Sequence, residues 1–256
     1  MKQVGTQPTE PASVKAASRR RSEPSRSDYP KTMAVRTGAS FLATTIGQTT
    51  VMAVTGVFLY LYVLSHLIGN LQIYLGREEI NAYARFLHSH YAMLWTARVM
   101  LLVAVLIHIS FGIRLWWLGR HVARPEPYFM KKDVPPAYAS RTMMRSGSVI
   151  LVFVVFHILH LTTGSLGLPF HELDVYGNVT AGFRILWVSL LYVVSMVFLG
   201  MHLYHGLWTI FPLLGLSHPR YTRALKWVAH TFAVLVSAGF ISIPLSAALG
   251  WLGHGG

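Results

Sequence analysis

Long apolar stretches alternate with short charged ones over most of this chain. A membrane-spanning helix needs about 20 apolar residues, because each residue rises about 1.5 Å across a hydrocarbon core of about 30 Å. Five stretches meet that requirement, at residues 49–75, 93–119, 147–167, 184–211 and 227–252. The pattern predicts an all-α polytopic membrane protein, built as a bundle of five transmembrane helices within residues 45–252.

The first 44 residues differ from the rest, because they are rich in Ser, Pro, Ala and Arg and show no apolar period. Segments of this composition bury too little apolar surface to offset the conformational entropy lost on folding. We therefore expect residues 1–44 to form a disordered, basic N-terminal tail ahead of the membrane domain.

The distribution of basic residues predicts the orientation of the bundle. The chain is 12% charged, about half of what a soluble domain carries, and its formal net charge is +13. Of the 22 Lys and Arg, eight lie in the tail, seven in residues 114–145 and three in residues 220–226. Because cytoplasmic loops hold the excess of Lys and Arg, we expect a cytoplasmic N-terminus and an external C-terminus. The positive charge then reports topology, and we expect no nucleic-acid partner.

Histidine is the residue type that offers chemistry within the membrane. The chain has no cysteine, which excludes disulfides, thiolate-held clusters and C-x-x-C-H haem attachment within it. Ionisable residues inside a membrane are rare and usually functional. Seven of the 13 histidines lie in or at the edge of the predicted spans, namely His66, His108, His157, His160, His202, His205 and His230.

Counting residues from the span ends places four of these histidines at two depths. The first and third spans run outward, which puts His66 and His157 at the outer level. The second and fourth run inward, which puts His108 and His202 at the inner level. Two stacked bis-histidine haems require two such pairs, with one imidazole from each of two facing helices.

Four short motifs follow one another on successive spans: S-H-L-I-G-N-L (65–71), I-H-I-S-F-G (107–112), F-H-I-L-H-L (156–161) and H-L-Y-H-G-L-W (202–208). Together they resemble the cytochrome b membrane anchor of succinate:quinone oxidoreductase and fumarate reductase, in its five-helix, di-haem form. The resemblance covers residues 45–252. It implies that His66 and His157 are the axial ligands of a distal haem b, and His108 and His202 those of a proximal haem b.

The resemblance also implies partners and a place in metabolism. The anchor would lie in the bacterial cytoplasmic (inner) membrane, bound to a flavoprotein subunit and an iron–sulfur subunit of succinate dehydrogenase. That enzyme is respiratory complex II and also takes part in the tricarboxylic acid cycle. FAD and the iron–sulfur clusters would belong to those partners only. Electrons would pass from the iron–sulfur subunit through the two haems to menaquinone, or in reverse in a fumarate reductase. The chain itself would carry electron transfer and the quinone site.

Further residues are candidates for contacts with quinone or haem. Quinone chemistry needs a proton donor or acceptor, and the external side offers Glu78, Glu79, His88, His90, His171, Glu172 and Asp174. Arg98 and Arg184 lie at the outer ends of the second and fourth spans, where they could contact haem propionates or reach lipid headgroups. His160 and His205 each follow an expected ligand by three residues. They could hydrogen-bond a propionate, line a quinone pocket, stabilise the neighbouring helix, or be ligands themselves if the register differs by one turn.

Two other functions are compatible with the same features. The chain could be the quinone-reactive cytochrome b of a hydrogenase, formate dehydrogenase or nitrate reductase, with a different soluble partner. It could also be a proton- or metal-coupled transporter that uses the histidines as a relay, and this function predicts no b-type absorption band.

Overall fold

The computed structural model describes residues 41–121, 136–213, 215 and 218–252, apart from the side chains of residues 121, 136–141 and 219. Regular structure in these residues is entirely helical. The seven α-helices are α1 (Thr45–Leu71), α2 (Arg77–Ser89), α3 (Tyr91–His121), α4 (Pro136–Leu161), α5 (Val175–Phe183), α6 (Leu186–Leu213) and α7 (Pro219–Ala248). Helices α1, α3, α4, α6 and α7 are long and apolar enough to cross a membrane, which confirms the predicted all-α fold with five spans.

The predicted tail lies outside the described residues except for its last four. Of these, Phe41–Ala43 form a 3₁₀ turn, and the Thr44 side chain accepts a hydrogen bond from the Gly47 N–H at the start of α1. A threonine in this position satisfies one of the donors that a helix N-terminus leaves unpaired.

The ends of the helices differ from the approximate span limits predicted from the sequence, most of all in α4 and α7. The third span was expected to reach residue 167, but α4 ends at Leu161, and Gly164 and Gly167 follow with φ of 63° and 68°. Such backbone conformations favour glycine and end a helix. The fifth span was expected to begin at residue 227, but α7 begins at Pro219. Proline suits the first position of a helix, because that position has no intrahelical partner for an N–H.

Helices α2 and α5 are short and were not predicted. Helix α2 begins with Glu78 and Glu79, which favour a helix N-terminus through the helix dipole. Both helices contribute to a buried apolar cluster together with α6 and α7, and its members include Ile73, Ile80, Val179, Phe183, Val188, Tyr192, Ile243 and Ala247. The two helices therefore cover the end of the bundle that we expect to be external.

A cluster of polar contacts fastens α5 to α2. Arg77 Nη2 donates to Asp174 Oδ2 (2.6 Å), and Asn81 Nδ2 donates to Asp174 Oδ1 (2.9 Å). The Gly177 N–H donates to the same carboxylate, so that Asp174 is the N-cap of α5. The buried Asn81 also accepts from the Tyr176 N–H (3.1 Å). Asp174 thus ties both short helices together.

We expect Asp174→Ala to destabilise the external end of the bundle. Loss of an N-cap costs about 0.5–2 kcal/mol, and the substitution also leaves the buried Asn81 amide without one of its partners. Thermal unfolding of the full chain in detergent measures the effect. The exposed Glu172 is two residues away, and Glu172→Ala is the matched control that should leave the unfolding midpoint unchanged. Equal midpoints for the two variants would contradict the structural role of Asp174.

The stabilisation by Asp174 should also depend on pH. Burial raises the pKa of its carboxyl, but the hydrogen bonds from Asn81 and the Gly177 N–H, with the charge of Arg77, outweigh burial and hold the pKa below 3.8. The contribution is therefore present above pH 3.8 and is lost as pH falls through the folded-state pKa. The difference in midpoint between the wild type and Asp174→Ala should shrink in that acidic range.

The spans differ in how extensively they pack against one another. Helix α1 lies along α3, α4 lies along α6, and α7 has its most extensive contact with α6. By contrast, α1 meets α6 and α3 meets α4 over much less of their length. A second apolar cluster, which includes Leu67, Leu203, Ala233 and Val236, joins α1, α6 and α7. Of the four helices that carry the predicted ligands, α1 packs most closely on α3, and α4 on α6.

Candidate functional site

Four histidines meet as two pairs in the interior of the bundle. The ring centres of His66 on α1 and His157 on α4 are 5.9 Å apart, with an angle of 85° between the ring planes. Those of His108 on α3 and His202 on α6 are 6.3 Å apart at 69°. The structure therefore brings together the same partners that share a depth in the sequence. Their binding of haem iron stays a prediction.

The separation of the rings suits two axial ligands of one metal ion. A metal–imidazole bond is about 2 Å long and the ring centre lies about 1 Å further, so opposite ligands have centres about 6 Å apart. Edge-to-face aromatic contacts have similar spacing, so distance alone does not decide between the two. The hydrogen bonds of the rings add a second criterion, because they indicate which ring nitrogen carries the proton and which is free to bind a metal ion.

The inner ring of His108 is held by α1. Its Nδ1 lies 3.1 Å from the Met52 carbonyl oxygen and 3.3 Å from Thr55 Oγ1. A carbonyl oxygen only accepts, so the proton of the neutral ring must lie on Nδ1. The Nε2 lone pair is then free to bind a metal, and histidines that bind metals are usually oriented by a hydrogen bond of this kind.

The other inner ring, that of His202, is held in the same way by α4. Its Nδ1 lies 3.2 Å from Ser146 Oγ, and because the Ser146 hydroxyl donates to the Thr142 or Met143 carbonyl of its own helix, its oxygen is left to accept from His202. The His202 ring is also hydrogen-bonded to the Met143 backbone. The proton therefore lies on Nδ1 here too, and Nε2 is again left for a metal. Both inner histidines have the tautomer that a metal ligand needs.

These supporting groups were not predicted, although the sequence repeats them. Met52, Thr55 and Gly56 precede His66 with the spacing M-x-x-[ST]-G-x₉-H, and Met143, Ser146 and Gly147 precede His157 with the same spacing. In each case the residues at the start of the pattern contact an inner histidine, whereas the histidine that ends the pattern belongs to the outer pair. A search for internal similarity between the first and third spans could have found them.

Glycines lie directly against the inner rings. A Cβ built on Gly56 would lie 3.4 Å from His108 Cε1, and one built on Gly147 would lie 3.5 Å from His202 Cε1. Any side chain larger than a methyl group would displace the imidazole beside it. The two glycines therefore fix how closely each ring approaches the neighbouring helix.

Aromatic side chains hold the outer pair. His66 stacks on Tyr62, with ring centres 5.5 Å apart and planes 14° apart, and tilts against Phe240 of α7 at 5.9 Å. His157 contacts Phe153, and its Nδ1 lies 3.2 Å from the Tyr192 hydroxyl. The outer rings are thus oriented mainly by packing, whereas backbone carbonyls orient the inner ones.

The donor set favours haem over a bare ion. The described part of the chain has no group of three or more His, Asp or Glu that could hold a metal ion. Each histidine pair supplies two nitrogen ligands, which is too few for a metal site built from side chains alone. Haem brings its own equatorial nitrogens and takes its axial ligands from the protein. The pairs therefore fit haem iron.

His160 and His205 are not members of the two facing pairs. His160 is fully buried between α4, α5 and α6, and its Nδ1 lies 3.0 Å from the Tyr192 hydroxyl. His205 Nδ1 bonds the Met201 carbonyl of its own helix at 2.9 Å. This placement favours His157 and His202 over them as ligands.

The two arginines considered for haem propionates lie at helix ends. Arg98, on α3, has its guanidinium 5.2 Å from the centre of the Trp95 ring, an arrangement that a cation–π interaction favours. Arg184 is the exposed C-cap of α5. The structure gives neither a contact with the four paired histidines.

The residues considered for quinone chemistry lie on and beside the two short helices. Glu78 pairs with Arg85 at 2.5 Å, and both side chains are largely exposed. The rings of His88 and His90 each hydrogen-bond a carbonyl one turn earlier. Glu79, His171 and Glu172 are exposed, and Asp174 is the N-cap of α5. These contacts favour structural roles for Asp174 and Glu78, and a quinone role for the others stays a prediction.

No protein-family model, no curated protein and no solved structure matches this chain. The likeness to a cytochrome b anchor therefore depends on the four short motifs and on the geometry of the two histidine pairs.

Proposed function

We propose that this chain is a haem b-containing membrane anchor that conducts electrons between a soluble partner and menaquinone, as in succinate dehydrogenase or fumarate reductase. The proposal rests on the two histidine pairs, His66 with His157 and His108 with His202, whose ring centres are 5.9 and 6.3 Å apart. A haem held by each pair would supply one-electron redox chemistry inside the membrane.

The spacing along the helices supports a stacked arrangement of the two sites. Gly56 lies beside the inner His108, and His66 follows it by ten residues on α1. Gly147 lies beside His202, and His157 follows it by ten residues on α4. Ten residues of helix rise about 15 Å. Two centres at this separation divide a hydrocarbon core of about 30 Å into shorter electron-transfer steps.

The protein's own contribution is to hold and orient the imidazoles. Carbonyls from α1 and α4 keep the proton of each inner ring on Nδ1, so Nε2 remains the donor atom. A hydrogen bond donated from Nδ1 makes the ligand more basic and so favours the oxidised metal. The outer rings lack these carbonyl contacts, and this difference would separate the reduction potentials of the two centres.

The charge distribution supports the proposed partners. If residues 114–145 and 220–226 are cytoplasmic, their basic side chains would dock the iron–sulfur subunit and bring its cluster near the inner pair. In the described part, the Lys226 ammonium lies 4.8 Å from the centre of the Trp208 ring, and the Arg120 guanidinium 5.5 Å from that of Trp116. Menaquinone would then react beyond the outer pair, at the end covered by α2 and α5.

An absorption spectrum of the purified, dithionite-reduced full chain tests the proposal. We expect a b-type α-band and two haems per chain by pyridine haemochrome assay. A chain purified from haem-replete cells without such a band would contradict the proposal and favour a transporter. Co-purification of a subunit with covalent flavin would support the succinate complex, whereas a hydrogenase, formate dehydrogenase or nitrate reductase partner would support the alternative cytochrome b.

A further inference from the structure

One tyrosine hydroxyl lies between two histidines at the outer pair. Tyr192 Oη is 3.2 Å from His157 Nδ1 and 3.0 Å from His160 Nδ1. The tyrosine is 6% exposed, and the rings of Phe153 and Phe183 pack edge-on against it at 4.9 and 4.6 Å. The hydroxyl is therefore held in place between the two imidazoles.

The chemistry of a metal ligand sets the direction of both hydrogen bonds. If His157 binds iron through Nε2, its proton lies on Nδ1, and this N–H donates to the tyrosine oxygen. A hydroxyl has one proton to donate, so Tyr192 must then give it to His160 Nδ1. His160 acts as the acceptor at the end of a chain that runs from His157 through Tyr192.

The surroundings of His160 indicate that an imidazole is present there for this contact. Its side chain is completely buried, and its Nε2 has no hydrogen-bond partner among the described residues. Such an atom is unfavourable in an apolar interior. In the described structure the His160 side chain hydrogen-bonds the Tyr192 hydroxyl. An apolar side chain at this position could not form that bond.

We propose that Tyr192 and His160 are positioning residues that tune the outer haem through His157, an inference that rests on the proposed function. When Tyr192 donates to His160, its oxygen becomes a stronger acceptor for the His157 N–H, because linked hydrogen bonds polarise one another. The stronger bond makes His157 a better electron donor and favours ferric over ferrous iron. Breaking the chain should therefore raise the reduction potential of the outer haem.

Redox titration of the two haems in the purified full chain tests this inference. We expect Tyr192→Phe and His160→Leu to favour reduction of the outer haem about threefold to tenfold, a tenfold change being about 59 mV for one electron. His160→Asn should restore the wild-type potential, because the amide oxygen can stand where Nδ1 accepts. His205→Leu is the matched control, since His205 follows His202 by three residues but bonds its own helix, and it should leave the outer potential unchanged.

The comparison of the two His160 variants decides the outcome. The inference is supported if His160→Leu raises the reduction potential of the outer haem, or loses that haem, and His160→Asn behaves as the wild type. Equal behaviour of the two variants, whether as an unchanged potential or as a common loss of the outer haem, overturns it, as does a lowered potential in His160→Leu. A wild-type chain without haem would instead overturn the proposed function, so the two failures are distinguishable.

Discussion

Replacing His66 or His157 with alanine is expected to reduce the haem content from two per chain to one, and replacing both should remove no more. The reason is that the two rings face each other 5.9 Å apart, so either substitution leaves the same iron with one axial ligand. The pyridine haemochrome assay of the purified variants measures the content. The remaining haem should titrate as the inner one.

A second double variant separates this pairing from the alternative in which neighbouring helices share a haem. Helix α1 lies along α3, so a pairing of His66 with His108 would be conceivable from packing alone. On the structural pairing, His66→Ala combined with His108→Ala removes both haems. Retention of one haem by that variant, with loss of both from the His66 and His157 double variant, would contradict the geometry.

Gly182→Ala is expected to destabilise the folded bundle, although it adds only one methyl group. A Cβ at this position would lie 2.7 Å from His160 Nε2 and 2.9 Å from Cε1, and the fully buried imidazole has no free space to move into. Overpacking of this kind costs about 1–3 kcal/mol. Thermal unfolding in detergent, followed by haem absorbance and by circular dichroism, measures the loss.

A glycine on α3 provides the matched control. A Cβ on Gly119 meets no atom within 4 Å, and Gly119→Ala should stabilise its helix by about 0.5–1 kcal/mol. Combining Gly182→Ala with His160→Ala should cost less than the sum of the single changes, because the smaller side chain makes room for the methyl group. Additive losses would show that the contact between Gly182 and His160 is not the cause.

The five spans could be predicted from the sequence because a bilayer imposes a minimum length of apolar helix. The pairing of the histidines followed as well, since a constant rise per residue converts sequence position into depth. Helices α2 and α5 could not be found in this way, because they are shorter than a span. These two helices are stabilised by contacts between residues far apart in the sequence, such as those of Asn81 with Asp174 and Tyr176.

The groups that orient the rings were harder to predict, for a physical reason. Each inner histidine is held by a helix other than its own, so its partner depends on how two spans are rotated against each other. Residues on one span do not report that rotation. The same holds for Tyr192, whose contacts with His157 and His160 arise from the packing of α6 on α4.

The division of each histidine pair between the two halves of the chain has a consequence for biogenesis. His66 and His108 lie before residue 122, whereas His157 and His202 lie after residue 135. As the chain leaves the ribosome, neither pair can close until the second half has been inserted. The outer pair is completed by the third span and the inner pair only by the fourth. The first two spans must therefore persist in the bilayer with unpaired imidazoles, and on the proposed function haem would be loaded late in the maturation of the protein.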